Sequence, residues 1–170
     1  MEIPGDNKGK GTSQWYIGAQ NGVVLCINSI DVQNRRVDGC FYHAYQTEAI
    51  SFDHWDDLLF KMEQFFDDIG FPFPTLNERT FEGVKDGIMH VHMRDKVMRD
   101  DELLKKHGDL GTFIIRVQHR QNSSWQGRIT WMDENKTVYF RSVWEMIKLI
   151  EGALPLPQDL DPDEKEATWD

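Results

Sequence analysis

The chain has 170 residues, with 19 Lys and Arg against 29 Asp and Glu and a net charge of −10. That length fits one or two domains and can bury a core without disulfides, while the acidic balance opposes general affinity for nucleic acid, whose phosphates need Lys and Arg. No basic start followed by an apolar run marks a signal peptide, and no stretch reaches the ~20 apolar residues of a membrane-spanning helix, so a cytoplasmic protein is expected.

In chain order, residues 1–13 read as a flexible, Gly-rich arm, and Trp15-Tyr16-Ile17 as a short strand. Asn21-Gly22 is a tight-turn signal that leads into a strand over 23–30. Cys26 and Cys40 fall on neighbouring strands and read as small buried hydrophobes of a reducing compartment rather than a disulfide framework. Trp55, Leu58, Leu59, Met62 and Phe66 recur at helical spacing. That helix is rich in acid: Asp53, Asp56, Asp57, Glu63, Asp67 and Asp68. Acids early in a helix favour its N-terminus, but Asp67 and Asp68 sit at the wrong end for that. Gly70-Phe71-Pro72-Phe73-Pro74 breaks the helix, and its two Phe are expected to pack onto the domain.

Residues 73–110 read as a connector made of a hairpin and a short helix. Its strands are expected over 79–84 and 88–94, around a turn at Lys85-Asp86-Gly87. A helix is expected over 96–107, with Val97, Leu103 and Leu104 inward and Gly108 as its cap.

Residues 111–154 carry the clearest pattern. Phe113, Ile115 and Val117 alternate with Ile114, Arg116 and Gln118, as in a half-buried strand. After a turn at 121–124, Trp125, Ile129 and Trp131 face one way and Gln126, Arg128 and Thr130 the other. A turn at 133–136 leads to a third strand that places Val138 and Phe140 on the apolar face. Ser142 is an N-cap, and Val143, Met146, Ile147, Ile150 and Leu154 form a helical stripe that Pro155 ends. The Pro-rich, acidic stretch 155–170 reads as a disordered tail, with Trp169 near its end.

Shifted back by 88 positions, the same pattern recurs over 14–72. Gln121-Asn122 falls on Gln33-Asn34, Gly127 on Gly39 and Phe140 on Phe52. Phe113, Ile115, Trp125, Ile129 and Val138 fall on Leu25, Ile27, Val37, Phe41 and Ile50. The helix positions fall on Trp55, Leu58, Leu59, Met62 and Phe66. The expected fold is therefore α+β, built of two βββα repeats, each an antiparallel sheet packed by one helix. The outward strand positions differ between repeats: Arg116, Gln118, Arg120, Arg128 and Thr130 against Asn28, Ile30, Val32, Cys40 and Tyr42. One sheet face is thus expected to be wet and basic, the other covered.

Charge is unevenly spread. Residues 1–74 hold 5 basic and 11 acidic residues, net −6; 75–110 hold 7 and 8, net −1; 111–154 hold 6 and 4, net +2; 155–170 hold 1 and 6, net −5. The asymmetry points to oriented docking on a basic partner, with solubility as the plain alternative.

Signals for chemistry are sparse. His90 and His92, two apart on an expected strand, face one way and with Asp95 would offer metal ligands, but a site normally needs a fixed third or fourth. No HExxH, GxSxG, Walker A or CxxC pattern occurs. His43 and His119 fall on strands, His43 at the core position that matches Trp131, and His107 at a helix end. Asp56 and Asp57, like Asp67 and Asp68, are helix neighbours that do not face each other, which argues against paired catalytic carboxylates. No metal, no cofactor and no catalytic residue are expected. Arg116, Arg120, Arg128 and Arg141 form a candidate basic stripe for contact with a partner or nucleic acid, while Trp125 and Trp131 turn to the core rather than forming a base-stacking platform.

The strings RQNSSWQGRITW and FRSVWEMIKLI, and more loosely FYHAY followed by MEQFFDDIGFP, resemble short proteins of gut Firmicutes associated with mobile elements. The resemblance spans roughly residues 22–155 and carries no transferable chemistry. Small acidic proteins from such elements include anti-CRISPR inhibitors of Cas effectors, so the resemblance implies such a role by context. The leading expectation is a non-enzymatic protein-interaction module whose acidic helix and tail meet a basic groove. The alternatives are a small metal-dependent nuclease or other hydrolase using His90 and His92, and a structural, self-associating protein.

Overall fold

The computed structural model describes residues 20–74, 77–87 and 94–155. The expected arm, the strand at 15–17, nearly all of the tail, and His90 and His92 lie outside them. The described chain is α+β. Its elements are β1 (Val23–Asp31), β2 (Arg36–Tyr42), β3 (Ile50–Phe52), α1 (Trp55–Ile69), β4 (Asn77–Thr80), β5 (Gly83–Asp86), α2 (Asp100–Leu103), β6 (Gly111–His119), β7 (Gln126–Trp131), β8 (Lys136–Phe140) and α3 (Val143–Ala153). Among the described residues no helix is long and apolar enough to cross a membrane.

The sequence leaves open whether the two three-strand units form one sheet or two, and the structure joins them in one. The six long-range strands form one antiparallel sheet in the order β3-β2-β1-β6-β7-β8. The reason lies in β1 and β6, where residues 23–27 and 111–115 are buried in unbroken runs. A strand apolar on both faces is stable only where both faces are covered, and such a strand sits at a sheet's centre. β1 and β6 therefore pair with each other. Leu25 lies opposite Phe113, flanked by Val24 opposite Ile114 and Cys26 opposite Thr112. Leu25 and Phe113 are 88 positions apart, so exchanging the two strands reproduces the pairing. The outer pairs also correspond, with Gly39 opposite Phe52 in one half and Gly127 opposite Phe140 in the other.

Both long helices lie on one face. The main core joins Leu25, Ile27, Phe41, Phe113 and Ile115 of the sheet to Leu58, Met62 and Phe66 of α1 and to Met146 and Ile150 of α3. Each of these large apolar side chains contributes roughly 1.5–3 kcal/mol on burial. Two helix boundaries follow the sequence. Ser142 caps α3, its hydroxyl accepting from the Glu145 N–H at 3.1 Å. Gly70 ends α1 at φ 67°, where its N–H and that of Phe71 reach the carbonyls of Asp67 and Phe66. Phe71 packs against the core as expected, but Phe73 stays exposed.

The other face carries a smaller core of Val24, Cys26, Ile114, Ala44, Met98 and Leu103. Its cover is the segment 94–110. Ala44 accepts from the N–H groups of Val97 and Met98, at 2.7 and 3.0 Å, and Leu110 donates to Ile27 at 2.8 Å. Of the helix expected over 96–107 only the four residues of α2 form, and Val97 is exposed rather than inward. Gly108 does not cap α2. It lies on β1, where a Cβ would come within 2.5 Å of the Ile27 nitrogen and 2.7 Å of its oxygen. Cys26 and Cys40 face each other across β1 and β2 as free thiols, and burial, with Cys40 beside it, pushes Cys26 up to about 12.

The small hairpin also departs from expectation. Thr80 pairs with Gly83, so the turn is Phe81-Glu82 rather than Lys85-Asp86-Gly87. The Thr80 hydroxyl closes it, donating to the Gly83 carbonyl at 3.0 Å and accepting from the Glu82 N–H at 3.2 Å.

Each half contains a bulge, between Ile27 and Ser29 and between Val117 and His119. An extra residue in a strand reverses the alternation beyond it. Ile30 and Arg120, both read as outward, therefore turn to the helix face: Ile30 packs on the main core and Arg120 is buried.

Candidate functional site

α1 carries the acidic face. Its inward stripe of Leu58, Met62, Phe65, Phe66 and Ile69 sets the opposite side in solvent. The six acids expected there do not act as one patch. Glu63 and Asp67 are held within the fold by Arg120, whose Nη1 donates to Glu63 Oε1 at 3.0 Å and to Asp67 Oδ1 at 2.7 Å. Arg120 Nε donates to the buried Pro72 carbonyl at 2.7 Å, and the guanidinium lies 5.7 Å from the Phe66 ring centre. Trp125 Nε1 donates to the second Glu63 oxygen at 2.6 Å. Asp67, misplaced for the helix dipole, thus has an internal counter-ion.

The other four acids remain on the surface. Asp57 pairs with Lys61 at 3.0 Å, and Lys61 also donates to the Ser51 carbonyl. Asp53 meets His54 at 3.0 Å and Arg36 at 3.8 Å; the His54 hydrogen bond is the main cause of its lowered pKa. Asp68 accepts from Gln64 at 2.8 Å, and Asp56 is exposed. Beside them stands a residue that the sequence reading passed over. Phe60 is 74% exposed, and it lies one turn from Asp56 on the same face. Its signal was available: position 60 is apolar yet falls outside the stripe of Leu58, Met62 and Phe66.

The basic stripe is broken up. Arg120 is buried and serves the fold. Arg141 is exposed at the start of α3 and pairs with Glu145 at 3.0 Å. Arg116 and Arg128 do come together, directly opposite across β6 and β7 on the face away from the helices. Tyr139 sits next to Arg128 on β8, 5.9 Å from its guanidinium, with its own ring exposed. Trp125 is buried and Trp131 packs against the main core, as expected.

Among the described residues no group of three or more His, Cys, Asp and Glu is placed to hold a metal ion. Asp95 is exposed, and its expected companions His90 and His92 fall outside the described residues. His43 is a core residue, stacked on Phe65 at 4.0 Å, with Nδ1 accepting from the Tyr45 N–H at 3.1 Å. Burial, reinforced by the Arg94 charge, lowers it to about 4. His119 and His107 are exposed. A pocket of about 190 Å³ beside His43 is lined by Gln46, Lys61, Gln64, Asp68 and Arg94. Compared with protein-family models, curated proteins and solved structures, this chain matches none.

Proposed function

We propose that this protein is a non-enzymatic, cytoplasmic binding module, built by duplication of a three-strand-and-helix unit, that docks the outer face of α1 on a basic protein surface. The observation that carries the reading is Phe60, a large aromatic ring left in solvent one helical turn from Asp56 and Asp57. An apolar anchor inside a charged rim is the usual make-up of an interaction hot spot. The partner class that fits is a protein with a basic nucleic-acid groove, of which RNA-guided host-defence effectors are the leading example, and the protein acts as their inhibitor. Arg116 and Arg128, on the opposite face, offer a contact to nucleic acid held in such a groove. The register of the central seam, symmetric about Leu25 and Phe113, supports the duplication.

The test is a binding assay on purified Cas effectors and other proteins with basic grooves, across a salt series. Binding should weaken with salt and fall about 100-fold or more in the Asp56→Lys/Phe60→Ser variant, the loss typical of removing an anchor and reversing a charge beside it. Equal binding by that variant, or no binding to any member, refutes the proposal.

A further inference from the structure

The space between α3 and the outer strands is wider than its counterpart under α1, the pocket of about 190 Å³ beside His43. A groove of about 350 Å³ has Trp131 and Val138 of the sheet on one side and Leu149, Gly152 and Ala153 of α3 on the other. Shifted by 88, the same positions in the first half are His43, Ile50, Lys61, Gln64 and Phe65. There the Phe65 ring stacks on His43 and narrows the space. Ala153 leaves it vacant, and Gly152 widens it, since a Cβ at Gly152 would meet nothing within 4 Å. A glycine inside a helix is destabilising relative to alanine, and here no neighbour demands it.

Two cations line this apolar groove, Lys136 and Lys148. Lys136 lies 6.0 Å from the Trp131 ring centre and Lys148 lies 4.7 Å from that of Trp144. Among the described residues neither has a carboxylate partner. Apolar walls of small-ligand size beside two unpaired ammonium groups match one chemistry. We infer that the groove under α3 binds a small amphipathic carboxylate, its hydrocarbon against Trp131, Val138, Leu149 and Ala153 and its charge toward Lys136 and Lys148. A chain of about ten carbons suits a pocket at the small end of the usual ligand range.

This site is separate from the α1 face, so the Asp56→Lys/Phe60→Ser variant binds the ligand unchanged. The test is calorimetric titration of the full chain with decanoate below its micelle concentration, against decanol and decyltrimethylammonium. Decanoate binds at one site and the uncharged and cationic analogues bind more weakly. Ala153→Phe, which installs the ring of the first half, and Gly152→Gln, which puts a long side chain on a residue that lines the groove, abolish binding. Gly152→Gln projects into open space, and its circular dichroism should match wild type. The Lys136→Glu/Lys148→Glu pair weakens decanoate about 5–10-fold, the sum of two exposed ion pairs, and raises affinity for the cation. No binding by the full chain, equal binding by Gly152→Gln, or equal binding of decanol overturns the proposal. So does self-association that Ala153→Phe removes, which assigns the groove to a second copy, or binding seen only after deletion of 156–170, which assigns it to that stretch.

Discussion

Arg120 is the residue whose replacement separates fold from surface most sharply. Its side chain is 2% exposed, while those of Glu63 and Asp67 are 42% and 52% exposed. In Arg120→Met the aliphatic part still packs on Phe66, but three charge-assisted hydrogen bonds disappear. Each such bond contributes ~1.5–3 kcal/mol. The two carboxylates recover most of that from water, because both are already half in it. The buried Pro72 carbonyl does not, and an unsatisfied buried acceptor costs ~1–3 kcal/mol. The expected loss is therefore about 2–3 kcal/mol, which for a chain of this size lowers Tm by ~5–10 °C. Arg120→Lys should recover little, since an ammonium cannot reach Pro72 and both acids in the guanidinium's planar geometry. Asp67→Asn should cost under about 1 kcal/mol, because Asp67 is the more exposed acid and Glu63 remains. Urea unfolding at neutral pH, with the linear slope compared across variants, measures each. If Arg120→Met stays within about 0.5 kcal/mol of wild type, or Asp67→Asn costs more than Arg120→Met, the clasp has been misjudged.

Two further outcomes follow from the same structure. His43, buried neutral with its pKa lowered to about 4 from 6.5, takes up its proton more readily in the unfolded chain. Stability should therefore fall as pH drops from 6.5 to about 4, and His43→Phe should lack that fall in a urea midpoint series. Asp31 and Asp53, lowered from 3.8 chiefly by Asn34 and His54, act only as pH falls below that value, so the windows separate. Gly108→Ala should destabilise by about 2 kcal/mol or more, because its Cβ runs into the Ile27 backbone, whereas Gly152→Ala should stabilise by ~0.5–1 kcal/mol. Equal effects of the two in thermal melts would contradict the packing described.

Much of the fold was legible because it is local. Ser142 and Gly70 mark their helix ends through single side-chain and backbone bonds, and the stripes of α1 and α3 follow from helical periodicity alone. What escaped depends on partners distant in sequence. Alternation placed Arg120 outward because nothing near it announces the extra residue at 117–119, which exists only relative to β7. The same blindness put Ile30 on the wrong face. The helix expected over 96–107 is reduced to Asp100–Leu103, and the stretch before it is tied to the Ala44 carbonyl, more than fifty positions away in the chain. The hairpin is a different case, since Thr80 and Gly83 carried a turn signal that the stronger-looking Asp86-Gly87 masked. For the candidate surface, charge alone suggested six equivalent acids, and only the buried guanidinium divides them into two that hold the fold and four that face outward.

The hairpin of β4 and β5 ends in Phe81, fully exposed, and lies outside the six-stranded sheet. A protease cutting at that tip would part the polypeptide into two pieces. The pieces would stay associated, because the ladder between Val23–Ile27 and Gly111–Ile115 and the apolar side chains on either side of it cross the cut. The molecule would survive as a noncovalent heterodimer, its joint lying at its own middle and not in the stretch that tethers one piece to the other.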